Sequence, residues 1–161
     1  MKKELVNRWK SSEGISLLNR ILEALKRNVS LDGVEGLTKY SGRWDLRGAV
    51  LSTVESERTI GNKEHQLTQK FGTLKLKGAK LIDVDFSYSD ISYGIFHECV
   101  FSNCIFQFTK AKELSVYASD FYECFFEKAD LSYSFLNMNI GANAGSYKHC
   151  TFDVLALSRA V

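Results

Sequence analysis

The stretch "SDISYGIFHECVFSNCIF", Ser89 to Phe106, decides the fold, because Ile91, Phe96, Phe101 and Phe106 stand five residues apart in it. A helix returns to one face about every 3.6 residues and a half-buried strand about every second residue. A period of five sustained over several cycles must therefore belong to a larger repeating unit.

Working outward, the row runs from Leu76 through Leu81, Phe86, Ile91, Phe96, Phe101, Phe106, Ala111, Val116, Phe121, Phe126 and Leu131 to Leu136, with Ala111 its one lapse. A second row lies two residues earlier and is small: Ala79, Ser89, Gly94, Cys99, Cys104, Thr109, Ser119, Cys124, Ala129 and Ser134, with Val84 and Leu114 as exceptions. Two side chains of every five thus turn inward, one large and one small, and the rest face outward. A single quintet cannot bury its own apolar side, so quintets must stack on one another.

The quintets "ADLSY", "SDISY", "SDFYE", "VDFSY" and "AKLID" resemble the pentapeptide-repeat family, and the likeness spans residues 79–138, twelve units. The resemblance implies a mainly β fold, a right-handed four-sided β-helix in which each quintet forms one side and four form a coil. Twelve units then make three coils. Twenty residues per coil would put Leu81, Phe101 and Phe121 in one column and Phe86, Phe106 and Phe126 in the next, at the ~4.8 Å spacing of paired strands.

The grid extends backward into "GRWDLRGAVLST", where Trp44 and Ala49 fall on the small row and Leu46 and Leu51 on the large one. This predicts an imperfect first coil, so the β-helix is assigned to residues 42–154. The charged segment 55–72, "ESERTIGNKEHQLTQKFG", is off the pattern although Phe71 is in phase, and reads as a loop or hairpin ejected from the coil. "NIGANAGSYKHC" shifts the grid by one residue, after which Cys150 and Phe152 offer one more unit and residues 155–161 a C-terminal cap. Open coil ends are templates for stray pairing and need covers. The N-terminal cover is assigned to residues 1–41: a helix after "SSEG" with Leu17, Leu18, Ile21, Leu22 and Leu25 on one face, running to about Asn28, preceded by a short helix with Leu5, Val6 and Trp9.

With 161 residues, 45% hydrophobic and no proline, the chain belongs with soluble single domains rather than disordered or collagen-like sequences. Its net charge of +2 conceals +6 over residues 1–78 and −5 over 79–138. No apolar run of signal-peptide or membrane-spanning length follows the basic N-terminus, which predicts a cytoplasmic protein.

Residue types that carry chemistry are present but not grouped. The four cysteines, Cys99, Cys104, Cys124 and Cys150, sit on the small row at the spacing of the repeat, not that of a zinc site. Cys104 and Cys124 would be stacked neighbours within disulfide reach, but thiols in a cytoplasm stay reduced. His65, His97 and His149 are isolated. Asp85, Asp90, Asp120 and Asp130 resemble the acidic residue of the family motif, and Asp90 and Asp130 would lie two coils apart with Lys110 between, too far for paired acid–base work. The reading is a non-enzyme with no metal, no cofactor and no catalytic residue.

What remains is surface. Tyr88 and Phe108 form one outward column, Tyr93 and Tyr133 flank Glu113 in another, and Ile105 and Phe125 occupy the row just before the inward Phe. These six are the candidate partner-binding residues, since aromatic anchors dominate interface energetics. The expected function is a non-enzymatic protein-binding scaffold, an immunity or inhibitor protein acting on a toxin or enzyme. No direct nucleic-acid or membrane binding is expected, and a homodimer through either cap stays open. The alternative, implied by the resemblance, is a protein that mimics duplex DNA and protects a type II topoisomerase. An active site could only be sought in 55–72.

Overall fold

The computed structural model describes residues 2–61, 66–136 and 146–148. The unit at Cys150–Phe152, the cap at 155–161, His65 and His149 lie outside them.

The period of five becomes four parallel ladders. Lys75–Lys77, Ile95–His97, Ser115–Tyr117 and Phe135–Leu136 form the first, each strand pairing with the one twenty residues on. Lys80–Ile82, Val100–Ser102 and Asp120–Tyr122 form the second. The third is made of Asp85, Ile105 and Phe125, and the fourth of Val50, Asp90, Lys110 and Asp130, joined by single bridges. Four ladders to a coil is what a four-sided tube requires. The molecule is a mainly β solenoid of about three turns with helices at its N-terminal end.

Its interior is filled by the two inward rows. Phe101 stacks on Phe121 with ring centroids 4.6 Å apart, and Phe86, Phe106 and Phe126 form a second pile at 4.9 and 4.7 Å. The spacing is that of the backbone ladder, so one geometry satisfies hydrogen bonding and ring stacking together. The small row has its own logic. Thr109 Oγ1 donates to the Phe86 carbonyl at 2.8 Å, and the thiols of Cys99 and Cys104 donate to the carbonyls of Leu76 and Leu81 at 3.5 Å, each twenty-three residues earlier. A small side chain with a donor thus bonds to the coil beneath it, which is why Ser, Thr and Cys recur there. Leu114, an exception in this row, and Leu74, five residues before its first member Ala79, are buried above and below Gly94, where a Cβ would stand 3.3 Å from Leu114.

The corner between sides falls on one position of every quintet. Asp83, Tyr88, Tyr93, Glu98, Asn103, Phe108, Glu113, Ala118, Glu123, Lys128 and Tyr133 all have φ between 46° and 63°. Left-handed backbone is unfavourable for L-residues other than Gly and, less so, Asn and Asp. The ladder imposes it regardless of side chain. Asp85, Asp90 and Asp130 each accept the backbone N–H two residues on, at 2.9–3.2 Å, so these carboxylates shape the coil.

The first coil is half built. Arg43–Asp45 pairs with Val84–Asp85, forty residues on, and Leu46, Ala49 and Leu51 are buried, while Trp44 is only half-buried with the Lys39 ammonium 4.5 Å from its ring centroid. Strand β1 (Lys39–Tyr40) lies antiparallel along β2 (Arg43–Asp45) and covers its outer edge. The first two ladders begin at Lys75–Lys77 and Lys80–Ile82, which pair on one side only. Helices α1 (Lys2–Asn7) and α2 (Ser12–Lys26) close this end. Ser11 caps α2 by accepting from Gly14 N at 3.0 Å, and Ile21, Ala24 and Leu25 face the core. The helix stops short of Asn28, which takes φ 54° just past its end and donates its side-chain amide to the Lys77 carbonyl at 2.8 Å. Gly48 occupies the corner position of the first coil, and a Cβ there would lie 2.7 Å from the Leu5 backbone, so glycine lets α1 dock.

An ionic cluster ties helix to coil. Asp45, 6% exposed, accepts two bonds from Arg8 at 2.6 and 2.7 Å and two from Arg47 at 2.9 and 3.0 Å, while Trp9 Nε1 donates to the Arg47 carbonyl. Burial pushes the Asp45 carboxyl up, but the bonds from Arg47 and Arg8 outweigh it and hold the group well below the usual carboxylate range.

Segment 55–72 is part of a hairpin: β3 (Val54–Gly61) and β4 (Gln66–Gly72) pair antiparallel with a bulge between Val54 and Ser56. Phe71 is in phase by number only, because it stands opposite Ser56 in the hairpin and outside the inward column. Beyond the third coil, Asp120 pairs with Ser146, twenty-six residues on, so the one-residue shift of the grid is present in the register.

Candidate interaction surface

Each coil corner projects a side chain outward, and four of the six candidate residues, Tyr88, Tyr93, Phe108 and Tyr133, are corner residues at positive φ. Tyr88 stacks on Phe108 at 4.8 Å with planes 3° apart, and the Lys128 ammonium caps the column 5.1 Å from the Phe108 centroid. Ile105 and Phe125 are bridge partners in the third ladder, so the structure brings them together beside this column. Tyr93 and Tyr133 share a corner without touching, with Glu113 in the coil between them. Tyr133 is 77% exposed. Tyr93 is half-buried and has the Lys70 ammonium of the hairpin 5.8 Å from its ring centroid.

Sequence reasoning missed Tyr117 and Phe135. They lie 5.3 Å apart in the first ladder and are 37% and 38% exposed, close to Phe125 at 38% and Phe108 at 40%. The signal was available, since Phe135 occupies the same outward position before an inward residue that singled out Ile105 and Phe125. Val50, also exposed, stands at the foot of the fourth ladder.

Between the aromatic corners the charges pair off. Lys110 reaches Asp90 at 3.8 Å and Lys112 reaches Asp130 at 3.5 Å. Exposed pairs of this kind are worth about 0–1 kcal/mol and mainly neutralise the strip. Glu98, Asp120, Asp83 and Glu123, four of the nine carboxylates of residues 79–138, lie instead on and beside the second ladder, away from the rings, where Lys80 and Lys148 share the ladder and the Arg43 guanidinium donates to Asn103.

Nothing in this surface resembles a reaction centre. Among the described residues no three His, Cys, Asp or Glu side chains gather as a metal site would. Cys99, Cys104 and Cys124 are buried thiols outside any disulfide, and burial pushes that of Cys99 up, away from the thiolate a nucleophile needs. His97 lies between Lys77 and Tyr117 in the first ladder, and its one ionic contact among the described residues is Glu98 at 3.7 Å. No helix among the described residues is long and apolar enough to cross a membrane.

Compared with known protein families, residues 75–113 match Pentapeptide repeats, in eight copies. This stretch belongs to the pentapeptide-repeat family. No curated protein matches it. The eight matched quintets cover the register from the first rung of the first ladder to the Glu113 corner, and the same ladders carry the repeat on to Leu136. Pentapeptide-repeat solenoids are typically structural or binding bodies, often scaffolds for protein partners. In this one the repeat fixes where side chains point, and the choice of residue at corners and outward ladder positions decides what the surface can hold.

Proposed function

We propose that this pentapeptide-repeat protein is a non-catalytic, cytoplasmic binding scaffold that acts as an immunity or inhibitor protein by covering a site on a toxin or enzyme. The observation that carries the reading is the strip of exposed rings on a stiff coil, with Tyr133 and Phe108 foremost among them. Rings held at fixed corners lose little conformational freedom on binding, which favours them as anchors. Tyr88, Tyr93, Ile105 and Phe125 complete the surface, and Tyr117 and Phe135 extend it.

The test compares the parent with Phe108→Asn/Tyr133→Asn as baits in a lysate of the native host. The reading expects one protein held stoichiometrically by the parent, inhibited by it, and lost from the double variant. Equal capture by both baits, or capture without any change in the captured protein's activity, would overturn it.

A second reading draws on the acidic side beside the second ladder: mimicry of duplex DNA toward a type II topoisomerase. Supercoiling by gyrase left unchanged under excess protein would dismiss it.

A further inference from the structure

Aromatic rings in this molecule gather cations from their own chain. Guanidinium or ammonium groups stand over Trp9, Tyr40, Trp44, Tyr93 and Phe108, the closest being Arg47 at 3.4 Å from the Tyr40 centroid. The face of a ring is its negative side, so these contacts are attractive. Tyr133, the most exposed ring among the described residues at 77%, has no such cation there.

Tyr133 shares its corner with Tyr93 and Glu113. Tyr93 N donates to the Lys112 carbonyl at 2.8 Å and Glu113 N to the Ser132 carbonyl at 2.9 Å, so the three corner backbones stack directly. In the adjoining corner the same stacking lays the Tyr88 ring on Phe108 at 4.8 Å. Here Glu113 takes the place of a ring in the middle coil. The two tyrosines stand two rungs apart, ~9.6 Å, and rings held as those of Tyr88 and Phe108 are leave a gap one flat group wide.

Glu113 is half-buried, and among the described residues its carboxylate has no ion pair and accepts no hydrogen bond. Its chain neighbour Lys112 is drawn instead to Asp130, at 3.5 Å. The hairpin that brings Lys70 to Tyr93 enters through the coil beneath, where Gly72 N donates to the Tyr93 carbonyl at 2.7 Å, whereas Glu113 lies in the coil above. An unpaired carboxylate between two ring positions is complementary to one positive, planar group. A guanidinium meets each demand, since it is flat, stacks on aromatic faces and donates two parallel bonds to a carboxylate. An ammonium meets only the demand for charge.

We propose that the Tyr93–Glu113–Tyr133 corner is a receptor for the guanidinium of an arginine on the partner protein. The inference rests on the scaffold reading for the existence of that partner, and adds the chemistry that the partner must present.

The probe is N-acetyl-arginine amide, titrated into the full chain at constant ionic strength, with its neutral isostere N-acetyl-citrulline amide and with N-acetyl-lysine amide alongside. Tyrosine ring signals in carbon–proton NMR spectra, assigned through Tyr93→Phe and Tyr133→Phe, give the readout. The expected result is a saturating shift confined to Tyr93 and Tyr133 with the arginine amide, none with the citrulline amide and a weaker one with the lysine amide. Glu113→Gln should weaken the arginine response by about fivefold, the worth of one exposed charge pair. No shift at these two rings, an equal shift at every exposed tyrosine, or a response that citrulline matches or Glu113→Gln leaves intact would overturn the proposal. An equal response to lysine would overturn the assignment to guanidinium. A silent titration refutes the corner alone, because capture of a partner is measured separately, and equal capture by the parent and Phe108→Asn/Tyr133→Asn refutes the scaffold whatever the titration shows.

Discussion

The ring of Phe106 lies on that of Phe126 at 4.7 Å with planes 2° apart. Phe86 stacks on the other face of Phe106, so removing the middle ring opens a void with aromatic walls on both sides. Phe106→Ala should cost ~3–5 kcal/mol by lost transfer energy plus cavity, read as a lower urea midpoint at unchanged slope. Phe106→Leu should cost less than half as much. Equal losses would mean that the column does not act as a packed stack.

The carboxylate of Asp45 joins the N-terminal helices to the first coil, and its pKa is depressed in the folded state. Such a group contributes stability fully above its unfolded value, about 3.9, and the contribution fades as pH falls below that. Asp45→Asn should therefore lower stability at pH 7 by about 3 kcal/mol, the low end for a broken buried pair because Arg8 is partly exposed. It should also flatten the loss of stability between about pH 4 and pH 2. Parallel urea titrations at both pH values check this.

The small-row bonds make an asymmetric prediction. Thr109→Val removes the donor to the Phe86 carbonyl and should cost about 1 kcal/mol. Ser89 Oγ is fully buried and, among the described residues, has no partner. Ser89→Ala should therefore be neutral or slightly stabilising. Both values come from chemical denaturation, and a larger loss at Ser89 than at Thr109 would refute the assignment.

Corner aromatics sit where the backbone prefers asparagine. Tyr133→Asn relieves left-handed strain and sacrifices little buried area, since the ring is 77% exposed. Its melting temperature should stay the same or rise, by up to about 1 kcal/mol of added stability. A clear fall would show that the ring packs on the coil and is not free surface.

How much of this was legible beforehand depends on the kind of signal. The inward rows announced themselves because every quintet repeats them, and the Phe86, Phe106 and Phe126 pile follows from the period alone. The corners did not, because Tyr88 and Phe108 are poor left-handed residues and nothing in their chemistry marks the turn that the ladder forces on them. Leu114 stood out in the small row, and only the stack explains it, because Gly94 beneath it leaves room where a Cβ would stand 3.3 Å from its Cδ1. The Arg8–Asp45–Arg47 cluster joins positions thirty-seven residues apart at one end, a pairing that no local pattern encodes. Of the surface, the outward columns could be read from the twenty-residue count, and Phe135 stood in the same row as Ile105 and Phe125, but Tyr117, which follows an inward residue, required knowing that every outward row counts.

One consequence concerns the unfinished first layer. Lys75, Lys77 and Lys80 stand along the outer margins of the first two ladders, where no further strand pairs and α2 with the Asn28 amide covers the margin only in part, and ammonium groups on such a margin discourage a neighbouring molecule from docking its backbone. Three point charges thus guard the molecule against growing into fibres from its blunt end, and acetylating them would lift that guard without disturbing a single interior residue.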